Sequence, residues 1–181
     1  KNEYFEASSE ALNTMNIPDH LLFLQKAEMH SFPDKFLEDC IKNYTREEVL
    51  DHKIEVSKVD NKEIRESVKR KIEFWNLPEI LVITLKRFDN LGKKNKELID
   101  FPLTNLVMSN YVIGYDKESY VYDLYGVCNH SGGTRGGHYT SFIKNANNKW
   151  YLFNDTNVTE IINLSKIKSP QAYCFFYRKK K

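Results

Sequence analysis

Two histidines, His130 and His138, bracket the glycines of "NHSGGTRGGHYTSF", residues 129–142, which hold four of the chain's seven glycines and two of its five histidines. His138 opens a stretch with strand character, and sixteen residues later "KWYLFND" ends in Asn154-Asp155. An imidazole facing an amide or carboxylate on a neighbouring strand is held in one tautomer, the state in which it takes a proton from a nucleophile. His138, Asn154 and Asp155 are therefore the candidates for acid–base chemistry. A histidine near an acidic residue is, taken alone, more often an ordinary polar pair, so the elements that position these groups must carry the argument.

Gly132, Gly133, Gly136 and Gly137 allow positive φ and the close approach of another backbone. A phosphate cradle would require a helix after the glycines, and a strand pattern follows instead. "NANN" at 145–148 is a hairpin turn by composition. A turn centred between Ala146 and Asn147 sets His138 opposite Asp155, whereas a three-residue turn centred on Ala146 sets it opposite Asn154. Both registers stay open at this level, and only one neighbour meets the ring unless a bulge intervenes.

The elements around this hairpin are strands. "ILVITL", residues 80–85, is a continuous aliphatic run, too apolar for a sheet edge. "YVYDLYGVCNH", "GHYTSFIKN", "KWYLFND" and "AYCFFYRK" complete an antiparallel, hairpin-built second half. In the first half, Phe36, Leu37, Cys40, Ile41 and Tyr44 share a helical face, with Pro33 and Asp34 suited to its first turn. "DHLLFLQKAEMHSF", residues 19–32, has no clean period and reads as a helix or an inserted arm, and the final "RKKK" as a frayed tail.

At 181 residues with 41% hydrophobic and 29% charged content, the chain is long enough for one well-buried core. A net charge of +2 gives no argument for nucleic acid or a membrane surface, and no apolar run approaches the length of a spanning helix. Cys40, Cys128 and Cys174 are odd in number and lack any C-x-x-C spacing, which points to a reduced intracellular setting with neither disulfide framework nor zinc site. All three read as small core residues, because none stands where a thiol would ionise.

"LPEILVITLKRF", "IDFPL", "YDLYGVCNHSGGTRGGHYTSF", "KWYLFNDTNV" and "SPQAYCFFYRK", in this order, resemble the C-terminal half of the catalytic domain of ubiquitin-specific proteases, a family of deubiquitinases. A weaker likeness, in "FEASSEALNTMNIP" and "FLEDCIKNYTREEVL", precedes it. The resemblance implies an α+β fold, a papain-like palm and fingers on antiparallel sheet, with the N-terminal helical thumb largely missing. Residues 1–76 would be fingers-like and connecting, and 77–181 the palm. It further implies thiol-dependent hydrolysis at the ubiquitin C-terminus, with His138 as general base oriented by Asn154 or Asp155. The nucleophilic cysteine is expected upstream, because nothing here matches the family's cysteine motif. Many relatives carry Asp where Asn154 stands, yet a Cys-His-Asn arrangement also works.

The same resemblance places the ubiquitin tail along Gly132, Gly133, Gly136, Gly137 and Tyr139, with the 89–98 segment as a second flanking loop. For His130 two roles stay open: lining the tail channel, or a hydrogen bond within the loop. The expected partners are ubiquitin or ubiquitinated proteins and the N-terminal part of the same catalytic domain, with no cofactor and no metal. The alternative is a catalytically inactive ubiquitin-binding or scaffolding module of the same fold.

Overall fold

The computed structural model describes residues 21–28, 35–59, 62–115 and 119–181. Its strands, in chain order, are β1 (Leu21–Glu28), β2 (Glu48–Val59), β3 (Lys62–Arg70), β4 (Ile80–Lys86), β5 (Leu106–Val107), β6 (Val121–Gly133), β7 (Gly136–Lys144), β8 (Trp150–Asn154), β9 (Asn157–Ile161) and β10 (Ala172–Lys179). One α-helix is seen among the described residues, α1 (Leu37–Tyr44).

Eight of the strands form one sheet in the order β1-β4-β10-β6-β7-β8-β9, with β5 added along β6. Every pairing in it is antiparallel except β1 with β4. The aliphatic run of β4 is interior, as its composition requires, and Leu81, Val82, Ile83 and Leu85 are all buried. α1 carries Glu38 and Asp39 in its first turn and Lys42 in its last, matching the helix dipole. It packs Leu37, Cys40 and Ile41 into the core. Phe36 is the exposed N-cap, one residue outside the apolar helical face expected for it. Phe101 and Phe175 meet in the core with ring centroids 4.5 Å apart and planes tilted by 53°. Two buried tyrosines tie strands to proline carbonyls, Tyr122 to Pro78 at 2.7 Å and Tyr177 to Pro102 at 2.8 Å.

Several expectations change. Within the 19–32 segment, residues 21–28 are neither helix nor inserted arm; they form β1, a parallel strand on β4. Within residues 1–76, β1 pairs with β4 in the main sheet and α1 packs into the core. The separate element is the β2–β3 hairpin, a two-stranded sheet. The tail is not frayed from Arg178: β10 continues through Lys179, and the Lys180 N–H donates to the Val121 carbonyl at 2.8 Å. The weaker likeness at 5–18, and Pro33 with Asp34, lie outside the described residues.

Candidate active site

The hairpin that holds the two candidate partners is β7–β8. Its ladder pairs Ser141 with Phe153 and Lys144 with Trp150. The turn is therefore centred on Asn147, one residue beyond the three-residue alternative considered from sequence. Asn148 sits at φ 61° and donates its N–H to the Asn145 carbonyl at 2.9 Å. The Asn147 side chain also accepts from the Lys149 N–H at 3.0 Å. This is a type I turn followed by a left-handed residue, a common three-residue hairpin, and asparagine tolerates that conformation.

In this register neither Asn154 nor Asp155 opposes His138. Continued past Ser141, it sets Thr140 across from Asn154 and makes His138 the diagonal neighbour on the same face. Asn154 Oδ1 lies 2.6 Å from His138 Nε2, a separation that spans that diagonal. An amide oxygen only accepts, so Nε2 carries the proton and Nδ1 keeps its lone pair. Asp155 turns away: at φ 51° it leads the two-residue link into β9 and is exposed. The structure thus brings together His138 and Asn154 and leaves Asp155 outside the pair.

The glycine stretch is tighter than a floppy loop. β6 and β7 stay paired up to Gly133 and Gly136, so only Thr134 and Arg135 form the turn. Gly132, at φ 123°, has the Gly136 carbonyl 2.6 Å from where a Cβ would stand. A Cβ on Gly137 would collide with the His130 ring and the Ser131 carbonyl. At Gly133 and Gly136 the space is open. Glycine is needed at two of the four positions, and there the crowding comes from the hairpin's own atoms.

Alternation along β6 and β7 puts His130 and Tyr139 on the sheet face opposite His138. The two rings lie 4.6 Å apart, with Phe88 and Tyr173 each 5.8 Å from His130. His130 is 4% exposed and Tyr139, above it, 56%. Lys94 Nζ lies 3.1 Å from His130 Nδ1 and also donates to the His130 carbonyl. Burial, then the Lys94 ammonium, push the imidazole below its usual range. Of the two roles left open for His130, its contacts are those of a hydrogen-bonded internal partner.

Arg87, Phe88, Lys94 and Tyr173 are the site neighbours that the sequence reading did not assign. Arg87, buried just past β4, donates to the carbonyls of Ala172 at 2.7 Å, Glu97 at 2.9 Å and Asn95 at 3.2 Å. It fastens the 89–98 segment, which is a tight turn: Phe88 bridges Lys94, and the Asp89 carboxylate accepts from the N–H groups of Leu91 and Lys93. An arginine following a strand too apolar for an edge was the available signal.

The cysteines offer no nucleophile to His138. Cys40 is buried within α1, and burial pushes the thiols of Cys128 and Cys174 up, away from thiolate. A cavity of about 730 Å³ opens beside the β6–β7 ribbon, lined by Asn129, His130, Thr140, Phe142, Lys94 and Lys166 among others; His138 is not part of its lining. Asn129 is 2% exposed, and its Oδ1 has no hydrogen-bond partner.

Sequence comparison matches residues 9–177 to the family described as ubiquitin carboxyl-terminal hydrolase. Ubiquitin carboxyl-terminal hydrolase 12 of Saccharomyces cerevisiae is 38% identical over 172 residues, which cover 91% of this chain and 14% of that protein. Ubiquitin carboxyl-terminal hydrolase 43 of Mus musculus is 30% identical over 86% of this chain and 16% of its own length. Among solved structures, the SAGA DUB module Ubp8/Sgf11/Sus1/Sgf73 bound to ubiquitin aldehyde superposes with a TM-score of 0.67 at 29% identity, covering 89% of this chain and 35% of that one. The chain spans about a seventh of these curated relatives and about a third of the solved chain.

Proposed function

The chain belongs to the ubiquitin carboxyl-terminal hydrolase family, with the papain-like fold of its ubiquitin-specific type, and on that premise we propose that it supplies the general base of a thiol-dependent deubiquitinase. His138 is the base and Asn154 its orienting partner. The nucleophile is a cysteine other than Cys40, Cys128 and Cys174, carried by a segment that docks beside His138. The single observation that carries this reading is the 2.6 Å contact between His138 Nε2 and Asn154 Oδ1.

The chemistry follows from the tautomer. With Nε2–H donated to Asn154, Nδ1 accepts the thiol proton, and the thiolate attacks the carbonyl carbon at the ubiquitin C-terminus. The tetrahedral intermediate collapses as the imidazolium, through Nδ1, protonates the departing lysine amine. His138 then removes a proton from water, whose oxygen attacks the thioester, and ubiquitin leaves with a free carboxylate while the thiol regains its proton. Asn154 holds the ring through both half-reactions without adding charge. The Gly132–Gly137 turn with Tyr139, and the 89–98 turn, are the loops that flank the tail.

Replacing His138 with Ala in the full-length protein should abolish cleavage of a fluorogenic ubiquitin substrate while the protein stays folded. Retained cleavage would overturn the assignment. Labelling with ubiquitin-propargylamide, followed by mapping of the modified cysteine, identifies the nucleophile. Absence of labelling would favour the inactive binding module.

A further inference from the structure

We propose that Lys94 and His130 form a proton-sensitive latch, in which the neutral imidazole holds the 89–98 turn against β6 and the protonated ring releases it. The latch lies on the sheet face opposite His138, and it stands whether or not the chain takes part in catalysis.

An ammonium only donates, so the 3.1 Å contact from Lys94 Nζ requires an unprotonated Nδ1 on His130. Lys94 also donates to the His130 carbonyl, so one side chain joins the turn to both ring and backbone of β6. Lys94 lies at the Phe88–Lys94 bridge that closes the turn. At the turn's tip, a Cβ on Gly92 would stand 3.2 Å from Thr134 Oγ1, so the two loops lie close together. The contact at Lys94 therefore holds one loop against the other.

A proton on Nδ1 sets two cationic donors face to face. The surroundings offer no relief. Phe88 precedes the turn, β7 contributes Tyr139, and Tyr173 comes from β10. Arg87 and Lys96, the other charged groups acting on Lys94, are also positive. No carboxylate among the described residues is seen to contact the ring. Burial foremost, and then Lys94, lower the affinity of the latched ring for a proton, while a released histidine titrates near its ordinary 6.5. The latched state therefore binds the proton less well than the released state. Latching weakens as pH falls below about 6.5, by up to about tenfold per pH unit, until the latched ring itself titrates.

Hydrogen–deuterium exchange of the full-length protein between pH 5 and 8, divided by the intrinsic rate at each pH, reads the latch without any ubiquitin substrate. Wild type should lose protection in residues 88–98 and 131–137 as pH falls, while β8 stays constant. Lys94→Met should show low protection in both segments at every pH. His130→Asn, whose amide oxygen accepts at any pH, should flatten the profile. Equal protection of the wild type at pH 5 and 8, or an unchanged pH profile in Lys94→Met, overturns the latch.

Discussion

His138 and Asn154 meet diagonally across β7 and β8, with Oδ1 2.6 Å from Nε2, although the ladder's last direct pair is Ser141 with Phe153. The contact depends on a side chain reaching along the strand, so the type and length of residue 154 matter more than its charge. If the full-length protein cleaves ubiquitin as proposed, Asn154→Ala should lower its kcat by about 10²–10⁴ while leaving KM close to wild type. Asp155→Asn should leave both near wild type, since Asp155 faces away. Steady-state kinetics on a ubiquitin substrate separates the two, and equal losses would show that both residues act on the ring.

The glycines divide by what crowds them. Gly137→Ala should cost about 2 kcal/mol in chemical denaturation, because the new methyl overlaps the His130 ring and the Ser131 carbonyl. Gly133→Ala, with open space around it, should fall within about 0.5 kcal/mol of wild type.

Arg87 makes three hydrogen bonds to carbonyls from inside the protein. Arg87→Met should destabilise by about 2–3 kcal/mol and raise amide exchange across 89–98. Arg87→Lys should recover little, because one ammonium cannot span the three acceptors as a guanidinium does. Recovery of wild-type stability by lysine would count against this role.

Two buried phenols should lower stability at alkaline pH. Burial raises Tyr122 and Tyr177 well above the ordinary 10. A folded-state pKa raised in this way gives stability that is complete below pH 10 and falls as pH rises through the unfolded value toward the folded one. Denaturant midpoints should thus drop between pH 9.5 and 11.5. Tyr122→Phe should lose about 1 kcal/mol at pH 8 with its bond to the Pro78 carbonyl, and lose less than wild type over the alkaline range.

Much of the β-rich half was legible in the sequence. The aliphatic run of β4, the alternation of β6 through β8 and the asparagine turn were readable because side-chain pattern and turn chemistry act locally. Which residue faces His138 was not, since moving a turn's centre by half a residue exchanges the neighbours. β1 gave no local sign because its partner, β4, lies more than fifty residues away and the pairing is parallel. The contacts of Arg87 and Lys94 were not legible for another reason. A charge next to a loop is usually solvated, and only the folded positions of the Ala172 and His130 carbonyls give these two donors their acceptors.

The histidines of the β6–β7 ribbon occupy its two faces, and this makes strand slippage self-limiting. Sliding β7 by one residue would exchange its faces, turning Tyr139 toward Asn154 and His138 toward the aromatic side. A slip that brings His138 to the place of Gly137 would also drive a side chain into space that only a hydrogen now fills. The stack beneath Tyr139 and the bare backbone beside it act as an alignment key, so the orientation of the His138 imidazole is guarded from the reverse side of the sheet.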